Sequence, residues 1–131
     1  MHARSRAYGL VLAGCAALLA GCASAQQTDV EHVATAFEDQ GTDPGQRCDL
    51  LAPATLATFE RDASTSCSDA IGKVRLAGGT VRSVQVWGGG AQVKLAGDTL
   101  FLTETSAGWR VAAAGCQPQG AEPYDCQVEG P

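Results

Sequence analysis

Aromatic residues are scarce in this chain, with three Phe, two Trp and two Tyr among 131 residues. Any core must therefore be thin and aliphatic, drawn mainly from Ala, Val and Leu. Histidine is scarcer still. Besides His2 there is only His32, so no histidine pair is available for acid–base work. Basic residues are also few, nine Lys and Arg against fourteen Asp and Glu. They form no cluster, which argues against nucleic acid as a partner and against a polybasic grip on anionic lipid. The sequence has no Gly-x-Ser-x-Gly elbow, no EF-hand spacing and no Cys-x-x-Cys. The usual routes to a serine nucleophile, a calcium site and a zinc site are thus missing, and neither a cofactor nor a metal is expected. Gly88-Gly89-Gly90 does not open a helix, so it reads as a hairpin turn and not as a phosphate cradle.

What is present begins with a leader. Residues 1–6 carry Arg4 and Arg6 and no acid, and residues 7–20 are uncharged, apolar and short for a membrane span. Leu19-Ala20-Gly21-Cys22 follows and resembles the lipobox of bacterial lipoproteins. Leu12-Ala13-Gly14-Cys15 also fits the box, but its apolar run starts only at Ala7, which assigns Cys15 to the apolar stretch. The resemblance implies removal of residues 1–21 and a diacylglyceryl group on Cys22. Two acyl chains anchor a protein firmly without help from basic residues. The expected location is the extracytoplasmic face of the cell membrane, with residues 22–27 as a short tether.

Four further cysteines remain, Cys48, Cys67, Cys116 and Cys126. In an exported chain an even number implies disulfides, and three connectivities are possible. Locality favours Cys48–Cys67 and Cys116–Cys126. Each closure is worth about 3 kcal/mol on the chain-entropy model, a large sum for a thin-cored domain.

Helix signals come first along the chain. Thr28-Asp29-Val30-Glu31 reads as a capping box, and Val30, Val33, Ala34 and Phe37 recur at helical spacing up to a stop at Gly41. Asp43-Pro44 and Pro53 start two short helices, and Ser66–Ile71 suggests a fourth. The period then changes to two. Val84 and Val86 alternate before the glycine turn, then Ala91, Val93 and Leu95, then Leu100 and Leu102 after a Gly97-Asp98 hairpin turn, and finally Trp109, Val111 and Ala113. These predict a four-stranded antiparallel meander. Residues 116–131, rich in Pro and Gly, are expected to be irregular and pinned by a disulfide. The fold class is α+β, with short N-terminal helices packed on the meander over residues 28–115.

This order, with Gly108-Trp109-Arg110-Val111 opening the last strand, resembles small NTF2-like domains. The resemblance implies a curved sheet wrapped around helices to form a cone with a pocket. Cys48-Asp49-Leu50-Leu51-Ala52-Pro53, Gly115-Cys116 and Pro123-Tyr124-Asp125-Cys126 are similar to segments of small actinobacterial lipoproteins, a likeness that implies location and no activity. Trp87 is out of phase with Val84 and Val86 and so is expected at the surface. Together with Tyr124 and Asp125 it forms the candidate recognition surface. His32, lacking a partner, reads as a surface residue, and Asp43 and Asp98 read as cap and turn residues. No catalytic residue is nominated. The expected function is a non-catalytic binding module with an envelope protein as partner. The alternatives are an NTF2-like enzyme or binder of a small apolar molecule, which would need a polar residue of perturbed pKa deep in the cone, and a structural envelope component.

Overall fold

The computed structural model describes residues 16–131. Four helices precede five strands: α1 (Ala16–Glu38), α2 (Pro44–Asp49), α3 (Pro53–Ala63), α4 (Cys67–Ile71), β1 (Val81–Trp87), β2 (Gly90–Leu95), β3 (Thr99–Thr105), β4 (Gly108–Gln119) and β5 (Glu122–Glu129). The strands form one open antiparallel sheet in sequence order. The class is α+β, as the change of period at residue 80 implies.

Three helix starts follow their sequence signals. Asp43 caps α2, its Oδ1 accepting from the Gly45 and Gln46 amides ahead of Pro44. Pro53 opens α3, and the Ser66 hydroxyl accepts from the Asp69 amide at the start of α4. The first helix differs. It runs through Thr28 without a break, and the Thr28 hydroxyl donates back to the Ser24 carbonyl at 3.0 Å, so no capping box forms. Gly21–Asp29 are all exposed, and among the residues whose burial is described Val30 is the first buried one. At about 1.5 Å per residue, Cys22 stands roughly 12 Å from Val30 along the helix. Among the described residues no helix is long and apolar enough to cross a membrane.

The core lies between α1 and one face of the sheet. Val30, Ala34 and Phe37, on one helical stripe, are fully buried against Val93, Leu100, Leu102 and Val111. The disulfide Cys48–Cys67 joins α2 to α4 at the edge of this core. The link between α2 and α3 is stitched to β4, where the Val111 amide donates to the Leu50 carbonyl and the Val111 carbonyl accepts from Ala52, both at 2.8 Å. That segment takes the place beside the start of β4 that β5 occupies further along.

The expected irregular tail is instead the end of β4 and all of β5, closed by the Cys116–Cys126 disulfide between directly paired residues. Pro118 and Pro123 made the segment read as coil. Both are tolerated because they sit on strands with a free flank. The hairpin bends back on itself. Phe101 pairs with Ala113, whereas Tyr124 stands one residue beyond the Gln117–Asp125 pair, and yet the two rings meet. The bend falls at Gly115, whose φ of +66° suits glycine; a Cβ there would lie 2.9 Å from that of Gln127.

Candidate functional site

Two features carry unusual chemistry, a sheet face and a buried cluster. The sheet face is the one turned away from α1. Alternation buries Ala91, Val93, Leu95, Leu100 and Leu102 toward the helices, which sends Gln92, Lys94, Phe101 and Thr103 the other way. Register places two rows across this face: Trp87–Gly90–Thr103 and Gln85–Gln92–Phe101. Trp87 is 55% exposed, the one large apolar side chain so exposed among the described residues. Its indole lies over Gly90, where a Cβ would stand 3.4 Å from Nε1. Tyr124 reaches the second row from the folded-back hairpin. It meets Phe101 edge to face with centroids 5.1 Å apart, and its hydroxyl accepts from Gln92 Nε2 at 3.5 Å. An open groove of about 410 Å³, lined by Ala52, Thr55, Thr103, Ala112, Ala113 and Glu129 among others, continues the face toward α3.

Trp87 and Tyr124 thus share one face, Tyr124 held, in the row beside that of Trp87, by Gln92 and Phe101, two residues that sequence reasoning did not single out. Their positions were legible, since both fall on the outward phase of strands whose inward phase is clear. Asp125 is exposed on β5. Cys22 is exposed and outside both disulfides, and His32 is exposed on α1.

The second feature lies where the end of α1 meets the β2–β3 turn. Glu38, Arg47 and Asp98 are all buried, at 6%, 2% and 5% exposure. Asp98 is more than a turn residue. Its Oδ1 accepts from the Thr99 amide at 2.7 Å and its Oδ2 from the Gly115 amide at 2.9 Å, which fixes the hairpin bend to the turn. Arg47 Nε donates to the Phe37 carbonyl at 2.8 Å, Nη1 reaches the Ile71 carbonyl at 3.5 Å, and the guanidinium sits 5.3 Å from the Phe37 ring centroid. Burial pushes Glu38 up to about 9 from the usual carboxyl range, reinforced by the Asp98 carboxyl and offset in part by Arg47 and the Gly78 amide. Burial lowers Arg47, opposed by the charges of Glu38 and Asp39. Glu38 was missed from sequence because it precedes Asp39 and Gln40 and looks like a solvated helix end. Its spacing of four from Ala34 places it on the buried stripe. The three side chains line neither the groove beside α3 nor the smaller ones around Phe59.

Among the described residues no group of three or more His, Cys, Asp or Glu is placed to hold a metal. Compared with known proteins, the chain matches no family model, no curated protein and no solved structure.

Proposed function

We propose that this chain is a lipid-anchored, extracytoplasmic binding module that recognises an envelope partner with the sheet face turned away from α1. The observation that carries the reading is the exposed Trp87 on the Trp87–Gly90–Thr103 row, beside the Gln85–Gln92–Phe101 row that Tyr124 buttresses. Exposed aromatics held by a rigid sheet and bordered by amides are the usual anchors of protein recognition. Supporting the location, two disulfides suit an oxidising compartment, and Cys22 stands clear of the domain on an exposed helical stretch. With its lipid at Cys22, that stretch would act as a short rigid stalk. Trp87→Ala or Tyr124→Ala should reduce co-purification with the partner at least tenfold while leaving the thermal midpoint within a few degrees of wild type. Undiminished capture by both variants would contradict the reading.

A second reading is favoured by Glu38. In an NTF2-like domain acting on a small apolar molecule, a buried carboxyl of raised pKa would be the acid. Turnover of such a molecule by the mature chain, abolished by Glu38→Gln without loss of fold, would establish it over the binding module.

A further inference from the structure

Two buried carboxyls in contact cannot both be charged cheaply. Asp98 has both oxygens occupied by backbone amides. Glu38 faces it, and neither Glu38 oxygen makes a full hydrogen bond, the Gly78 amide approaching without closing one. Arg47, from α2, is the nearby cation, but it spends Nε and Nη1 on the Phe37 and Ile71 carbonyls, and its Nη2 has no partner. The charge of Asp39, at the end of α1, acts on Arg47. From the loop before β1 the Gly78 amide faces Glu38, and the Gly78 carbonyl is taken by the Gly97 amide at 2.9 Å. A proton on Glu38 supplies the missing donor and removes one of two repelling charges.

We propose that Glu38 and Asp98 form a proton-operated latch. One proton held between the two carboxyls fastens the end of α1 to the β2–β3 turn and, through the Gly115 amide, to the bend that folds the β4–β5 hairpin over the sheet face. Its loss loosens that junction. The device joins the helix that bears Cys22 to the bend that brings Tyr124 onto Phe101. It stands whatever the sheet face binds.

The sign of the pH dependence follows from linkage. Glu38 binds its proton up to about pH 9 in the folded chain and releases it near the ordinary value of 4.5 when unfolded. The stabilisation is complete below the lower value and is lost progressively as pH rises through the upper one, at up to tenfold in the unfolding equilibrium per pH unit.

The test is urea unfolding of the mature chain, disulfides intact, from pH 5 to 10, with the Glu38 carboxyl ¹³C shift followed over the same range. Wild type should lose up to tenfold in its folding equilibrium per pH unit between pH 5 and 9. Glu38→Gln, a neutral isostere, should lose most of that dependence and exceed wild type in stability at pH 8. The Glu38 carbon should titrate above pH 7. Parallel pH profiles for wild type and Glu38→Gln, or a Glu38 carbon that titrates below pH 6, would overturn the latch. The carbon titration decides the matter even if the variant does not fold.

Discussion

Replacing Cys48 and Cys67 together by Ala should be the more damaging of the two disulfide removals. The bridge spans 19 residues of sequence, and on the chain-entropy model opening it costs about 3 kcal/mol. The residues it joins add to that cost. Helices α2 and α4 have six and five residues, too short to persist without tertiary support. Both half-cystines are buried in the main core, at 6% and 2% exposure, and truncating them adds on the order of 1 kcal/mol of lost packing. A total near 4 kcal/mol corresponds to a fall of roughly 15–20 °C in Tm for a domain of this size. Cys116–Cys126 spans 10 residues and, although Cys116 is buried, stands apart from the main apolar cluster, across a hairpin already zipped by strand pairing. Its removal should cost about 2–3 kcal/mol. Thermal and urea unfolding of the two double variants provide the comparison. A smaller loss for Cys48→Ala/Cys67→Ala than for Cys116→Ala/Cys126→Ala would refute the assignment of the first bridge to the core.

Three other outcomes follow from the packing and the leader. Gly115→Ala should destabilise by roughly 2 kcal/mol or more, because φ is positive and the new methyl meets Gln127; a neutral result in urea would deny the bend. Phe37→Ala should cost about 3–5 kcal/mol in the same assay, since it empties the centre of the α1 interface and removes the ring beneath Arg47; a loss below 1 kcal/mol would mean that the core closes without it. Cys22→Ser should abolish acyl labelling and detergent-phase partition in cells, and labelling that persists would locate the lipid elsewhere.

How much of this was legible in the sequence varies by element. Short-range chemistry read well: Asp43-Pro44, Pro53 and Ser66 start helices where expected, and the Gly97-Asp98 turn joins β2 to β3. Such signals need only neighbouring residues. The start of α1 was misread because Thr28-Asp29-Val30-Glu31 has the composition of a cap, while the helical run upstream gives the chain no reason to break there. β5 was missed although Tyr124, Cys126 and Val128 alternate with Asp125, Gln127 and Glu129. Pro118, Gly120 and Pro123 masked the period, and their tolerance at a free flank is a property of the assembled sheet. The Glu38–Asp98 pair lay beyond reach for the same reason. Sixty residues of sequence separate the two carboxyls, and only the docking of α1 on the sheet brings them together. Trp87 and Tyr124 could be named individually, but their common face depends on the bend at Gly115.

Site-specific photocrosslinking in intact cells tests the binding reading most directly. A photoreactive residue is placed at Gln85, exposed beside Trp87 on the sheet face, and separately at Lys73, exposed beside the groove under α3 and α4. A discrete crosslinked partner is expected from position 85 that is absent from position 73 and is lost on Tyr124→Ala. Equal crosslinking from both positions, or none from position 85, would contradict the binding reading.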